Sequence, residues 1–325
     1  MPERLRTALI GAGGRIAADW LSVAQASDSP VRLTALVETD PGARQRLGAL
    51  PDLDALLAGD LPEAAIVATP PSTHAAIVVR LAEAGIHVLC EKPLATTLHD
   101  AESMVAATRS AGVRLMMASK FRFVDDVAEA SRRIAEGAIG QPVFYDNAFC
   151  GHVDMRDRWN SDPQVSGGGV LIDNGAHAVD LARFLMGEVE RVLAATGPRL
   201  QPLGVEDSVR ILFETCSGAL GRADLSWSVD IGSASYAAIH GSLGSIELGW
   251  KGARLRTRDG WTPFGTGYDK RRAFRNQLTH FAHVVRSDEA PRIGDDDALA
   301  SVRFVCAAQR SLVDGRWCRL DEAWA

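Results

Sequence analysis

The chain has 325 residues, 46% of them hydrophobic and 23% charged, with a formal net charge of −6. That is more chain than one core normally encloses, so two domains are expected in a globular protein. An acidic balance with no basic block argues against a nucleic-acid or anionic-membrane surface, and no apolar run reaches the roughly 18 residues of a membrane span. A small anionic ligand held by a few arginines stays open. Cys90, Cys150, Cys216, Cys306 and Cys318 are scattered and form no C-x-x-C pair, the usage of free thiols in a reducing cytoplasm. The start, "MPERLRTALIGAG", has too short an apolar stretch for a signal peptide and reads as a first strand.

In chain order, short apolar runs at 6–13, 31–38, 63–70, 86–91 and 113–118 read as strands. Helical spacing lies between them. Over 72–84 the face is Ala76, Val79, Leu81 and Ala84, with Thr73 or Ser72 as cap. Over 97–111 it is Leu98, Ala101, Met104, Val105 and Thr108. This alternation implies right-handed βαβ units and a parallel sheet covered on both faces. A helix at 124–136 and a strand at 143–149 follow, then a polar, irregular stretch at 150–165. A glycine-rich entry leads into a helix within 166–187. From 189 to 257 the chain turns to strands with tight glycine-containing hairpins. Helices close the chain at about 269–287 and 295–313, the last with Asp295, Asp296 and Asp297 at its positive end. The expected domains are 1–122 and 123–325, the last helices being free to pack back on the first.

"IGAGGRIAADW" follows the first strand. Gly11 and Gly13 match the first two glycines of G-x-G-x-x-G; the third place holds Ile16, with Ala17 next. Gly11 permits the tight turn, Gly13 lets backbone approach a pyrophosphate, and the helix opened by Arg15 and Ile16 supplies N–H groups and partial positive charge. A glycine turn without a ligand is the alternative. Glu38 ends the second strand, 25 residues beyond Gly13, close to the place of the acid that holds the adenosine ribose. A carboxylate there repels a 2′-phosphate, which favours NAD over NADP.

Of 35 basic side chains only Lys92, Lys120, Lys251 and Lys270 are lysines; the other 31 are arginines. Lys92 closes the fourth strand, at the carboxyl edge where open α/β sheets bind ligands. The proline after it restricts the backbone and allows a cis bond. An ammonium can lose its proton when partly buried or beside another cation, whereas a guanidinium does not. Position 92 therefore suits proton transfer; a snorkelling strand-end lysine is the alternative. Asp173, His177 and Asp180 stand four and three apart on one helix face, preceded by "GGG" at 167–169 that allows close backbone approach. An acid and a histidine sharing a cleft with Lys92 would serve proton transfer at a carbinol. A hydrogen-bonded core histidine is the plain reading.

Together "GAGGRIA", "IVATPPSTH", "AGIHVLCEKPLA", "SGGGVLIDNGAHAVDLARFLMG", "EDSVRILFETCSGALG" and "IHGSLGSIEL" resemble the Gfo/Idh/MocA oxidoreductases, nearly end to end. The resemblance implies an α/β architecture: an N-terminal Rossmann doubly wound parallel sheet plus a C-terminal α+β domain. The second domain would hold a large, mostly antiparallel open sheet, often the face of a homodimer or homotetramer. It implies hydride transfer between nicotinamide and a sugar or cyclitol carbon. By motif, Lys92 of "EKP" would be the proton-transfer and substrate-hydroxyl residue. Asp173 and His177 would be its partners, with His177 a candidate acid/base. Thr69, Pro70, Pro71 and His74 match the loop along the nicotinamide half of the cofactor, and Glu91 the acid at the nicotinamide ribose.

Further substrate candidates are His152, Asp154, Arg156, Arg158 and Trp159 in the 150–160 stretch, and Lys120 and Arg122 after the last parallel strand. A solvated loop and a structural salt bridge are their respective alternatives. His280 and His283 have helical spacing but no evident third ligand, and a hydride enzyme needs no metal. The expected protein is a cytoplasmic NAD-dependent dehydrogenase of a sugar or cyclitol hydroxyl, with a small polyol or keto-sugar as its partner. A keto-sugar reductase, a closed-cofactor oxidoreductase and a non-catalytic NAD sensor are the alternatives.

Overall fold

The computed structural model describes residues 3–287 and 289–322, so the outermost ends of both expected domains lie outside the described residues. The chain divides into two compact units: one runs up to Lys120 and includes Lys270–Leu299, the other comprises Phe121–Asp269 and the chain from Ala300 onward.

The first unit begins β1 (Leu5–Ile10), α1 (Arg15–Ala24), β2 (Val31–Val37), α2 (Pro41–Leu47), α3 (Leu53–Leu57), β3 (Ala64–Val67), α4 (His74–Glu83), β4 (His87–Glu91), α5 (Leu98–Ser110) and β5 (Leu115–Ala118). All five strands pair parallel in the order β2-β1-β3-β4-β5, as the alternating pattern requires. Every side chain of β3 and β5 is buried, which explains apolar runs without alternation. Asp40, Asp52 and Thr97 cap α2, α3 and α5 through their side chains.

The helix expected over 72–84 starts at His74, and neither Ser72 nor Thr73 caps it. A 3-10 turn at Pro71–Thr73 precedes it. That turn leaves Thr73 at φ −100° and ψ −10°, not the extended backbone of a capping residue. Its hydroxyl instead donates to the Thr69 hydroxyl and the Pro70 carbonyl. The buried face is His74, Val78, Leu81 and Ala82, while Ala76 is exposed. The period is helical as expected, but its phase is set by His74.

The second unit holds α6 (Asp125–Ala135), β6 (Pro142–Cys150), α7 (Pro163–Ser166), α8 (Val170–Met186), β7 (Val189–Thr196), β8 (Ser208–Thr215), β9 (Leu220–Ser226), β10 (Ser235–Gly241), β11 (Ser245–Gly249), β12 (Gly252–Thr257) and β13 (Gly260–Phe264). After these come α9 (Lys270–Ser287), which belongs to the first unit, α10 (Asp295–Asp314) and β14 (Cys318–Arg319). The sheet runs β13-β12-β11-β10-β6-β9-β8-β7-β14 and is antiparallel except for the β6–β9 pair. β13 is an edge strand with almost no buried side chain and carries Pro263, so no alternation marked it in the sequence. Along β8, Val209, Ile211 and Phe213 face the core, while Arg210, Leu212 and Glu214 face out. On that outer face Phe144 pairs with Leu220, and Arg210 meets Asp224.

α9 is tied to α1 by an edge-on contact of Trp20 with Phe274 and by Lys270 with Asp19 at 2.7 Å, and to the turn after α1 by Arg275 with Asp28. Arg286, near its end, reaches Glu63 at 2.6 Å.

Gly221 pairs with Phe213 across β9 and β8. A Cβ at 221 would stand 2.0 Å from Phe213 Cζ, and the ring is buried against Tyr145 and Phe304. Gly221→Ala should therefore cost about 1–3 kcal/mol of stability through overpacking. The midpoint of urea unfolding checks this; an unchanged midpoint would mean the ring has room to move.

Candidate active site

The turn after β1 is set by hydrogen bonds from the amides of Gly11 and Ala12 to the Val37 carbonyl, at 2.9 and 3.1 Å. Gly11 has φ +80°, and a Cβ there would lie 2.9 Å from the Ala68 oxygen. Both facts demand glycine. Gly13 donates its N–H to Glu38 Oε2 at 2.6 Å, and the other oxygen of Glu38 accepts from the Asp40 amide at 2.8 Å. A Cβ on Gly13 would stand 2.7 Å from that carboxylate. The acid expected at the adenosine ribose is thus locked against the turn expected at the pyrophosphate. Gly14 is the N-cap of α1, and no side chain caps that helix. Arg15 is exposed, Ile16 half-buried and Ala17 fully buried. The small residue that packs beneath the helix is therefore Ala17, one place after the motif's third position. These groups fit a dinucleotide: a close-approach turn, an uncapped helix N-terminus and a placed carboxylate.

The ends of β3 and β4 carry the next group. Thr69 and Pro70 are half-buried and Pro71 is buried. His74 is wholly buried and both ring nitrogens face main-chain carbonyls. Its side chain is not presented to a ligand, unlike the expectation from the motif, because the ring lies beneath the turn rather than on it. Glu91 ends β4, 7% exposed, and accepts from Trp20 Nε1 at 2.8 Å and from the Lys92 amide at 3.2 Å. Burial pushes its pKa up, against the opposing pull of the Lys92 charge and the Trp20 bond. Lys92 follows, half-buried, and the Lys92–Pro93 peptide is cis. Lys120 stands half-buried after β5, close enough for its charge to act on Glu91.

In the second unit the "GGG" entry has a specific cause. A Cβ on Gly169 would lie 2.0 Å from the Glu206 carbonyl oxygen. Glu206 then caps α8, its Oε1 accepting from the Gly169 and Leu171 amides at 3.0 Å each. The close backbone approach anticipated at 167–169 is made by Glu206. One turn into α8, Asp173 is half-buried and His177 is 8% exposed. Phe121 and Phe149 present edge-on contacts to the His177 ring, with centroids 5.2 and 6.4 Å away. Asn174 donates to the Phe149 carbonyl at 3.1 Å, fixing that ring's strand to the helix.

Two family models match the chain: an oxidoreductase family with an NAD-binding Rossmann fold over residues 5–119, and a GFO/IDH/MocA C-terminal domain over residues 127–247. The chain belongs to the Gfo/Idh/MocA oxidoreductases. It is similar to scyllo-inositol 2-dehydrogenase (NAD(+)) of Bacillus subtilis, 29% identical over 274 residues, which span 80% of this chain and 78% of that one. It is similar to inositol 2-dehydrogenase of Rhizobium meliloti, 26% identical over 96% of this chain and 98% of that one. Among solved structures it is similar to aldose-aldose oxidoreductase from Caulobacter crescentus complexed with glycerol. There the TM-score is 0.87 at 27% identity, covering 98% of this chain and 100% of that one.

Within this Gfo/Idh/MocA chain the remaining candidates separate. Arg122 is not placed to read a substrate. It is 4% exposed and bonds Asp180, itself 0% exposed, through Nε at 2.9 Å and a terminal nitrogen at 2.7 Å. The third residue of the 173–177–180 face, Asp180, therefore belongs to the core. In the 150–160 stretch His152, Arg156 and Trp159 are exposed, and Arg156 pairs with Asp154 at 2.6 Å. That pairing holds the Asp154 carboxyl down at about 2. His152, Asp154 and Arg156 border a cavity of about 430 Å³ with Leu200, Gln201 and Trp227. Gln201 organises its wall, accepting from the Met155 amide and donating to the Val153 carbonyl and Ser228 hydroxyl. Gln201, Glu206 and Trp20 are site-building residues that sequence reasoning did not single out. The acid of "EDSVR" was visible as part of a motif, but its partner amides at 169 and 171 were not. His280 Nε2 accepts from the Arg292 amide, and among the described residues no metal-competent cluster is present.

Two measurements test these placements. Because folded Glu91 holds its proton to higher pH than unfolded Glu91, its ionisation destabilises the folded state. That cost is absent below about pH 4.3 and grows as pH rises through the folded pKa. Glu91→Gln should gain stability relative to the parent as pH rises across that window; a flat difference would contradict the burial effect. Arg122→Met should lose about 3–5 kcal/mol in urea unfolding by stranding the Asp180 charge, and an added Asp180→Leu should recover much of it.

Proposed function

We propose that the protein oxidises a secondary hydroxyl of a sugar or cyclitol with NAD, Lys92 and His177 handling the hydroxyl proton. The observation that carries this reading is the placement of Lys92. It is one of four lysines in the chain, the first residue past the β4 strand, beside buried Glu91. Bound NAD supplies the hydride acceptor. The chain's own residues do the rest: Glu38 receives the adenosine ribose, the Gly11–Gly13 turn and the α1 N-terminus receive the pyrophosphate, and Glu91 receives the nicotinamide ribose. The hydroxyl proton passes to the Lys92 amine as the carbinol carbon becomes a carbonyl. Asp173 orients the substrate or tunes the pair, and His152, Arg156 and Trp159 of the 150–160 stretch serve as further polyol contacts. The names of the Bacillus and Rhizobium relatives, both inositol dehydrogenases, support the substrate class.

A second reading has one observation behind it. The Caulobacter enzyme is named an aldose-aldose oxidoreductase, which would make the cofactor a resident that cycles between two sugars. Retention of NAD through gel filtration separates the two readings.

Residues 1–122 would serve as the dinucleotide domain and 123–325 as the substrate and oligomerisation domain, in a cytoplasmic enzyme. The outer sheet face, with Phe144 at 52%, Leu220 at 47% and Leu212 at 41% exposure, would be the homo-oligomer surface.

The direct test is the near-ultraviolet absorbance of reduced nicotinamide when the protein meets NAD and a panel of aldoses and inositols. A rise with one polyol is expected; none with any, in protein that binds NAD, would overturn the reading. Lys92→Ala should lower kcat by about 10²–10⁴-fold while the protein stays folded. Glu38→Ala should erode the preference for NAD over NADP, and an unchanged ratio would remove Glu38 from that role.

A further inference from the structure

Ladder pairing of the parallel sheet stops at Glu91, which is opposite Ala118, and at Cys90, which is opposite Val67. Lys92 is therefore the first residue that no neighbouring strand holds. Pro93, which follows, has no N–H to offer, yet Pro93, Leu94 and Ala95 are all buried. Buried main-chain carbonyls need donors, and outside the ladder these come from turn amides, side chains or water.

His74 supplies them. Its Nδ1 lies 3.1 Å from the carbonyl oxygens of both Pro93 and Leu94, and its Nε2 lies 2.9 Å from the carbonyl oxygen of Thr69. The ring is 0% exposed, and the carbonyls of Pro93 and Leu94 have no other hydrogen bond among the described residues. One imidazole thus stands between the turn leaving β3 and the turn leaving β4. Burial pushes the pKa of His74 down, so at neutral pH the ring is uncharged and carries one N–H. A proton on Nδ1 is shared by two carbonyls and leaves one lone pair against one oxygen. A proton on Nε2 would leave a lone pair against two.

We infer that His74 is a positioning residue for Lys92: through Nδ1 it holds the Pro93 and Leu94 carbonyls and so fixes where the Lys92 side chain starts. The inference rests on the reading of Lys92 as the proton-handling amine. The ladder anchors Lys92 on one side, at Glu91, and the His74 bonds anchor it on the other. A displacement of about 1 Å in such a group can cost about 10²-fold in rate.

Two amides divide the ring's functions. Asn places its nitrogen near the position of Nδ1, and Gln places its nitrogen near that of Nε2. The lysines of each variant are dimethylated reductively with carbon-13 and observed by NMR. The chain has only four lysines, and the Lys92 signal is assigned by its loss in Lys92→Arg. His74→Leu and His74→Gln should shift the Lys92 signal and, in unmethylated protein, lower kcat by about 10²-fold with little change in KM for NAD. His74→Asn should keep the signal in place and recover most of the kcat that His74→Leu loses. An unmoved Lys92 signal in His74→Leu, equal rescue by Gln and Asn, or a loss confined to KM for NAD would overturn the inference. Should His74→Leu fail to fold, the Asn–Gln comparison decides alone. Turnover with an unmoved signal in His74→Leu or His74→Gln defeats the role of His74. A signal that moves as expected in a protein inactive on every polyol defeats the dehydrogenase reading instead.

Discussion

Covering a parallel sheet on both faces leaves no place for polar chemistry inside it. β3 and β5 bury every side chain, and β1 buries all but Arg6. A group that must meet both water and ligand can stand only where the strands end. Glycine turn, Glu38, Thr69, Glu91, Lys92 and Lys120 all lie at those carboxyl ends. The constraint also explains why the ends are elaborately braced. Past the last ladder bond the backbone still needs partners, and Glu38, Glu91 and His74 each spend polar atoms on main chain or on an indole. Ligand-facing groups are thereby fixed by neighbours that face the protein.

The second unit solves a similar problem with one long helix. α8 is almost wholly buried, so its N-terminal amides cannot rely on water, and Glu206 reaches over from just before β8 to meet them. The absence of a Cβ at Gly169 is the condition for that approach. The same burial makes Asp180 costly unless Arg122 comes with it. His177 sits between these two fixed points, held edge-on by two phenyl rings.

Most of the architecture was legible from periodicity. The five parallel strands, α5, α6, β6, α8 and the last two helices all appear within a few residues of their expected bounds. What escaped has common physical causes. β13 lies at an edge with little buried surface, so it carries no alternation to read. The phase of α4 escaped because its first core position is a buried histidine, His74, which a face read from apolar side chains passes over. Arg122 was weighed as a substrate group because its partner, 58 positions on, is invisible to local patterns. Trp20 with Glu91, Gln201 with residues 153–155, and Glu206 with Gly169 are likewise side chains meeting backbone or indole across long stretches of sequence. By contrast Lys92 stood out through composition alone: an arginine-rich chain had written lysine at a strand end.

The placement of α9 has a consequence for how the molecule comes into being. The chain leaves its first unit after Lys120 and returns at Lys270, so the second unit is spliced into the first. Trp20 waits 254 positions for Phe274, and Asp19 waits 251 for Lys270. A nascent chain emerging from the ribosome can assemble the five-stranded sheet early. Its α1 surface stays bare until some 150 further residues have been made. This face of α1 is covered long after the helix itself is made, and its indole and neighbouring acid stay exposed throughout the interval.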